Sequence, residues 1–159
     1  MRILAIAASS LAVWLIAATQ VPAQLRLPVS SVVPGAVLTQ PFGCTRLELE
    51  PFDPSCATHH FHTGIDLAAP LGAEVFSATD GTALTGYDAE AGNFVKVIID
   101  ARVSVIYCHL SAFRVATGDH VMPGRLVGLV GATGLATGPH VHLQVDVDGE
   151  PLNPVTFLR

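Results

Sequence analysis

Two histidines separated by one residue, His140 and His142, are the clearest candidates for chemistry in this sequence. They lie in the run HVHLQVDV, which predicts a strand, and residues i and i+2 of a strand point to the same face. Both imidazoles then project from one sheet surface, while Val141 and Leu143 point toward a core. Packing alone does not explain such a pair, because each ring has polar nitrogens that need partners. Imidazole is a common ligand of Zn²⁺, so the pair indicates a metal site.

A catalytic zinc site needs three protein ligands and one open position, so other residues must complete the pair. The pair itself can supply one ligand or two. His62 and Asp66 offer an imidazole and a carboxylate, and Gly64 between them allows a tight backbone path. The glycines in and after this segment favour a strand or a loop over a helix. A rival pair, His60 and His62, leaves Asp66 without a role.

Short apolar runs separated by Gly, Pro and Asp must position these residues, because helical periodicity is nearly absent. The runs predict seven strands, at residues 36–39, 73–78, 82–86, 93–99, 102–108, 125–130 and 140–147. Short strands with frequent turn signals predict an all-β sandwich or barrel.

Length and composition exclude several classes of fold and of function. The chain has 159 residues, 50% of them hydrophobic, and a net charge of −5. It is therefore expected to be one modest domain rather than a disordered chain. Lys96 is the only lysine, and the lack of a basic stripe argues against nucleic acid as a partner. After residue 23 no stretch approaches the ~20 apolar residues that a membrane-spanning helix needs.

The first 23 residues have the layout of a secretory signal peptide. Arg2 precedes an apolar run, Ile3 to Ala18, and Val21-Pro22-Ala23 offers a cleavage site with small residues. Cleavage after Ala23 predicts a secreted or periplasmic protein, whereas an uncleaved segment would anchor it to the membrane. Residues 24–35 are then a linker or N-terminal arm, and residues 36–159 form the domain.

Export changes the expectation for the three cysteines. Cys44 and Cys56 are 12 residues apart in a loop-like stretch, and outside the cytoplasm a disulfide between them is plausible. The alternative, a pair of zinc ligands, has no support from C-x-x-C spacing. Cys108 lies in a β-rich run and is predicted to be a buried, inert thiol.

Three motifs, in order along the chain, resemble those of the lysostaphin-type (LytM-like) zinc endopeptidases, which hydrolyse cell walls. They are H-x-G-x-D at His62–Asp66, Y-x-H-L-S at Tyr107–Ser111 and G-x-T-G-x-x-T-G-P-H-x-H at Gly131–His142. The similarity runs from about Val37 to Pro154. Each motif alone would be weak, but three in this order are specific.

The resemblance implies a small antiparallel barrel-sandwich hybrid with Zn²⁺ in a groove on one sheet. It implies that His62, Asp66 and His142 bind the zinc and that His109 and His140 are the catalytic histidines. One histidine would orient or deprotonate the zinc-activated water. The other would stabilise the tetrahedral intermediate or protonate the leaving amine.

The function implied is that of an exported, monomeric zinc metalloendopeptidase that hydrolyses the peptide cross-links of bacterial peptidoglycan. The alternative is a non-catalytic LytM-like module that binds and regulates other cell-wall hydrolases, which the intact set of five residues disfavours. A biotinyl or lipoyl carrier would need a lysine at a hairpin tip, whereas Lys96 lies within a predicted strand. A metal-storage protein would fill all four positions with protein ligands.

Other residues have less specific expectations. His59 and His60 are predicted to be surface or supporting groups, and His120 lies in a turn signature that predicts exposure. Tyr107 is equally consistent with a packed strand aromatic and with a hydrogen-bond donor to an oxyanion.

Overall fold

The computed structural model describes residues 25–159, and the predicted signal peptide lies outside the described residues. Strands dominate this range. In chain order they are β1 Val37–Gln40, β2 Gly43–Thr45, β3 His60–His62, β4 Gly64–Ala68, β5 Glu74–Phe76, β6 Gly81–Asp88, β7 Gly92–Ile98, β8 Val103–Leu110, β9 Ala112–Phe113, β10 His120–Val121, β11 Leu126–Leu129, β12 His140–Val147 and β13 Glu150–Leu152. A 3-10 turn, Val29–Ser31, precedes β1, and a four-residue helix α1, Pro154–Phe157, follows β13.

The strands form one large antiparallel sheet with two small sheets beside it. The large sheet has the order β1-β4-β12-β8-β7-β6-β10, with β13 paired to β12, and the small sheets are β5-β11-β9 and β2-β3. Each of the seven predicted strands coincides with one of these, and the predicted all-β antiparallel fold is confirmed. Among the described residues, no helix has the length and apolar character that crossing a bilayer would require.

Alternation along β12 separates the core from the outer face of the sheet. Val141, Leu143 and Val145 are fully buried, whereas the intervening side chains, His140 and His142 among them, are partly exposed. This is the arrangement that the period of two predicts for a strand with one buried face. The core therefore fixes the direction in which the two histidines project.

The N-terminal arm packs against the domain in the part that the structure describes. Val32 and Val33 are 0% and 1% exposed and belong to the main hydrophobic core. The backbone N–H of Phe76 donates to the Val32 carbonyl at 2.8 Å. Burial of two valines contributes roughly 3 kcal/mol or more to folding, so this stretch of the arm is part of the packed structure.

Candidate metal centre

Strand pairing places Asp66 and His142 directly opposite each other. In the antiparallel pair of β4 and β12, Asp66 is the register partner of His142, and Ala68 is the partner of His140. Opposite residues of an antiparallel pair project to the same face. His62 ends β3, which Thr63 alone separates from β4. The pairing thus brings together the three predicted metal ligands from two distant segments of the chain.

The three side chains converge on one point. Nε2 of His62 lies 3.2 Å from Oδ1 of Asp66 and 2.9 Å from Nδ1 of His142. Nδ1 of His142 lies 3.1 Å from the same Asp66 oxygen. His62 is fully buried, and the other two side chains are each 14% exposed. The cluster is therefore a compact set of two nitrogens and one oxygen that could hold a metal ion.

The ring hydrogens of both histidines point away from the cluster. Nδ1 of His62 donates to the Pro41 carbonyl at 3.0 Å, and Nε2 of His142 donates to Oε1 of Gln144 at 3.3 Å. A neutral imidazole carries one hydrogen, so the remaining nitrogens face each other with lone pairs. Such atoms at 2.9 Å repel unless a proton or a metal ion lies between them. Two imidazoles and a carboxylate form a donor set typical of zinc sites with an open position, so the residues fit this ion.

The pKa shifts of His62 and Asp66 also indicate that the cluster favours a bound positive charge. Burial opposes protonation of His62, but the hydrogen bonds that the protonated ring makes to Asp66 and to the Pro41 carbonyl outweigh burial and raise its pKa. Burial likewise opposes ionisation of Asp66, yet the hydrogen bonds that the His142 and His62 rings donate to it when they are protonated bring its pKa far below its usual range. Asp66 is therefore an anion at neutral pH and can bind a cation.

His109 and His140 lie side by side next to the cluster. Their ring centroids are 4.6 Å apart, and Nε2 of His140 is 3.7 Å from Oδ1 of Asp66. Nδ1 of His140 donates to the Gly138 carbonyl at 2.8 Å, and Nδ1 of His109 donates to the Thr133 carbonyl at 2.9 Å. In each ring Nδ1 is hydrogen-bonded to a backbone carbonyl, so Nε2 is the atom that can exchange a proton.

A β-bulge in β8 turns His109 toward the groove. The register of β8 with β7 shifts between Tyr107 and Leu110, so β8 has an extra residue there. His109 has a φ of 62°, uncommon for a residue with a side chain, and its N–H donates to the Ala91 carbonyl at 2.8 Å. Simple alternation would place His109 on the core side with Tyr107, and the bulge reverses this.

Burial also sets the charge of His109, which is 8% exposed. Burial lowers the pKa of His109 below its ordinary value of 6.5, although the Thr133 carbonyl favours the protonated ring. At neutral pH the imidazole is therefore uncharged and can accept a proton.

The outer face of the sheet forms an open groove of about 500 Å³ beside the cluster. Asp66, His109, His140 and His142 line it, together with residues from the loop between β2 and β3 and from the turn between β6 and β7. The first of these loops is closed by a disulfide between Cys44 and Cys56, which confirms the predicted pairing. A peptide in the groove would meet the cluster and both further histidines at once.

A residue that sequence reasoning missed, Gln144, holds His142 in place. Oε1 of Gln144 accepts the ring hydrogen of His142 and also a hydrogen bond from Oγ1 of Thr63 at 2.7 Å. Nε2 of Gln144 in turn donates to Oδ1 of Asp146 at 2.7 Å. Gln144 could have been identified from the sequence, because it lies two residues after His142 and therefore on the same face of the strand.

Tyr107 is a core aromatic rather than a residue of the site. Its side chain is fully buried, and its hydroxyl accepts a hydrogen bond from the Ala78 N–H at 2.7 Å. Burial raises the pKa of Tyr107 to about 12, although the Ala78 and Ser77 hydrogen bonds oppose that shift. The packed-aromatic interpretation is therefore the one that the structure supports.

The remaining histidines lie outside the cluster. His60 donates from Nδ1 to the Glu50 carbonyl at 2.8 Å, which makes it a supporting group as predicted. His59 and His120 are exposed. Cys108 is 6% exposed, and burial raises the pKa of its thiol to about 12, in agreement with the predicted inert cysteine.

The chain is similar in sequence to bacterial peptidases. It is 42% identical over 104 residues to the DD-carboxypeptidase/endopeptidase Mpg of Neisseria meningitidis, covering 65% of this chain and 24% of that protein. It is 39% identical over 93 residues to the peptidoglycan DD-endopeptidase ShyA of Vibrio cholerae, covering 58% and 22% of the two chains. The chain thus spans about a quarter of the length of these relatives.

Solved structures share the fold. A zinc-containing peptidase from Vibrio cholerae superposes with a TM-score of 0.68 at 30% identity, covering 84% of this chain and 39% of the other. The catalytic domain of lysostaphin from Staphylococcus simulans superposes with a TM-score of 0.64 at 27% identity, covering 77% and 92%. The family model described as Peptidase family M23 matches residues 60–154, a range that contains all five residues of the site. The chain therefore belongs to Peptidase family M23, and its resemblance to the lysostaphin-type, LytM-like enzymes is confirmed.

Proposed function

We infer that this chain is an exported zinc metalloendopeptidase that hydrolyses the peptide cross-links of bacterial peptidoglycan. The observation that carries this inference is the convergence of His62, Asp66 and His142, with ligand atoms 2.9 to 3.2 Å apart. Two further histidines lie beside that cluster in an open groove. The names of the related proteins supply the substrate class, because the cluster itself would suit hydrolysis of many amides.

His62, Asp66 and His142 would hold the ion, and their hydrogen bonds prepare them for it. When bound, zinc supplies a Lewis acid that polarises the scissile carbonyl and makes a water nucleophilic at neutral pH. The Pro41 carbonyl fixes the tautomer of His62, and Gln144 fixes that of His142. Partners of this kind orient ligands and raise their basicity.

His109 is the general base in this proposal, because burial keeps its ring neutral at neutral pH. The Thr133 carbonyl holds Nδ1–H, so Nε2 is the atom that takes the proton from the attacking water. A base with a pKa near the operating pH is the most effective in such a transfer.

His140 has the complementary role. Its Nδ1–H is held by the Gly138 carbonyl, its Nε2 is 3.7 Å from Oδ1 of Asp66, and the His109 ring lies beside it. When Nε2 also carries a proton, the ring donates that proton from this position to the developing oxyanion or to the leaving amine. A donor that is already oriented stabilises negative charge without reorganisation, which is the largest single contribution in many hydrolases.

The remaining predictions concern the whole chain. We propose residues 1–23 as a signal peptide removed after Ala23, residues 24–35 as a linker or arm, and residues 36–159 as the peptidase domain. Export delivers the domain to the periplasm or the cell exterior, where the Cys44–Cys56 disulfide is stable. It would act there as a monomer on the peptide stems of the wall.

The test is digestion of purified peptidoglycan by the chain without residues 1–23, with and without a chelator. New peptide termini, identified by mass spectrometry, are expected only in the arm without chelator, and His109→Ala should yield few of them. Intact muropeptides in both arms, from protein that retains bound zinc, would favour the alternative, a non-catalytic LytM-like module that regulates other hydrolases.

A further inference from the structure

A second carboxylate lies beside the candidate metal centre. Oε1 of Glu50 is 3.9 Å from Nε2 of His62, the nitrogen that also faces Asp66 and His142. The Glu50 side chain is 16% exposed and lines the groove. None of the three sequence motifs contains this residue. A cation bound by the His-Asp-His cluster would therefore have a further negative charge next to it.

A hydrogen bond fixes the direction of the Glu50 carboxylate. Nε2 of Gln40 donates to Oε1 of Glu50 at 2.9 Å. Gln40 is also the register partner of Asp66 in the pairing of β1 with β4. A neutral amide orients a carboxylate without cancelling its charge. The charge of Glu50 is consequently still available to a cation in the cluster.

The backbone of Glu50 is positioned by a loop that a disulfide closes. The Glu50 carbonyl accepts from Nδ1 of His60 at 2.8 Å, and its N–H donates to the Leu47 carbonyl at 3.1 Å. Cys44 and Cys56 join the two ends of the loop between β2 and β3. Closing a loop restricts the conformations open to every residue within it. The disulfide therefore limits how far Glu50 can move from His62.

We propose that Glu50 is an additional charged group of the metal centre, and that the Cys44–Cys56 disulfide maintains its contribution. The proposal rests on the proposed function, since it assumes that His62, Asp66 and His142 bind a divalent ion. A dication bound to one carboxylate keeps one positive charge, which a second carboxylate neutralises. Salt screens this attraction weakly because the groups are mostly buried. Glu50 thus strengthens retention of the ion.

The first experiment measures zinc affinity of the folded protein by competition with a chromogenic chelator. Glu50→Gln keeps the size of the side chain and an acceptor for Gln40 but removes the charge. Glu48→Gln, at an exposed position of the same loop, is the matched control. Glu50→Gln is expected to weaken zinc binding by about ten- to a hundredfold, the usual effect of losing such a partner. Equal affinities for the two variants would overturn the proposal.

A second experiment separates a role at the metal from a merely structural one. Cobalt replaces zinc, and the visible absorption bands of the ion then report its surroundings. These bands are expected to shift in Glu50→Gln and to match the wild-type protein in Glu48→Gln. Identical spectra for wild type and Glu50→Gln would mean that the carboxylate does not act on the ion.

The disulfide is tested in the same affinity assay. Cys44→Ser combined with Cys56→Ser is expected to weaken zinc binding by nearly the factor found for Glu50→Gln. Adding Glu50→Gln to this double variant should then cause little further loss, because coupled residues are not additive. If Glu50→Gln weakens zinc binding by the same factor in the double cysteine variant as in the wild type, the disulfide and Glu50 are not linked.

His142→Ala distinguishes failure of this proposal from failure of the proposed function. If His142→Ala binds zinc as tightly as the wild type, the assigned metal centre itself is wrong. If His142→Ala loses zinc while Glu50→Gln retains it fully, only the role of Glu50 is wrong.

Discussion

The Cβ atom that Gly64 lacks would lie 2.7 Å from Nε2 of His142 and would also overlap the Leu143 carbonyl oxygen. Gly64 is not among the glycines with positive φ, so its backbone conformation is open to any residue. The glycine of the H-x-G-x-D motif is therefore needed for space beside His142, a proposed metal ligand, not for the tight backbone path that the sequence suggested.

This relationship predicts that Gly64→Ala damages the candidate metal centre. The added methyl group must displace β12 or the His142 ring, so we expect weaker zinc binding and a loss of about 1–3 kcal/mol in the free energy of unfolding. Chelator competition and urea denaturation measure the two effects. Gly128→Ala is the contrast, because its methyl group would meet the Leu110 side chain in the core. That variant should lose stability but bind zinc normally, and weak zinc binding there would undermine the argument.

The two classes of histidine are expected to respond differently to substitution. His142→Ala removes a proposed zinc ligand and should abolish both zinc content and activity. His109→Ala should leave zinc bound and lower kcat by ~10²-fold or more, the usual effect of losing a general base. The zinc content and the rate of peptidoglycan hydrolysis are measured for both variants and compared with those of the wild type. Release of the metal by His109→Ala would mean that the assigned ligand and base are exchanged.

The lowered pKa of His109 predicts the pH dependence of activity. Burial favours the neutral ring, so the folded protein binds this proton less tightly than the unfolded chain does. Acidification below pH 6.5 then lowers the free energy of unfolding and, at lower pH, protonates His109, the proposed base. Alkaline conditions change neither the stability nor the base. We expect kcat against pH to fall on the acid side at a pH below 6.5. In His109→Ala the residual activity should not show this fall on the acid side. A fall of the wild-type kcat that begins above pH 6.5 would contradict the assignment of His109 as the base.

Most of the fold follows from local sequence patterns, because the long strands carry regular apolar alternation. The strands missed by the sequence analysis are short, and pairing rather than composition creates them. β2 and β3 pair with Cys44 opposite Phe61, and the Cys44–Cys56 disulfide closes most of the loop that connects them. The turn between β7 and β8 spans four residues rather than the two expected, since the Asp100 carboxylate accepts from the N–H groups of Arg102 and Val103. Long-range pairing and side-chain capping leave little trace in the apolar pattern.

The residue types that meet in the candidate site could be predicted from the sequence, but their geometry could not. Alternation along β12 predicts the direction of His140 and His142 correctly, because regular pairing continues through that strand. Alternation fails at His109, where a bulge depends on the register with the neighbouring strand. Glu50 lies in an irregular loop, and only the folded backbone places it beside His62. Sequence spacing cannot anticipate such contacts.

The buried position of Cys108 predicts a thiol that does not react in the folded protein. Burial raises its pKa to about 12, and nearby acidic residues act in the same direction. Thiolate is the reactive species, so we expect negligible labelling by a thiol reagent at pH 8 and complete labelling in guanidinium chloride. Counting labelled cysteines by mass spectrometry gives the result. Rapid labelling of native protein would mean that Cys108 is accessible from the groove.

Gln144 provides the last prediction, because it connects His142 to two other polar side chains. Gln144→Met removes the acceptor of the His142 ring hydrogen and leaves Thr63 and Asp146 without this partner. The ring can then rotate or change tautomer, so we expect zinc affinity to fall by about ten- to a hundredfold. Thr63→Val removes a hydroxyl that contacts Gln144 but not the ring, and should cause a smaller loss. If Thr63→Val weakened zinc binding as much as Gln144→Met, orientation of His142 would not be the reason for the effect.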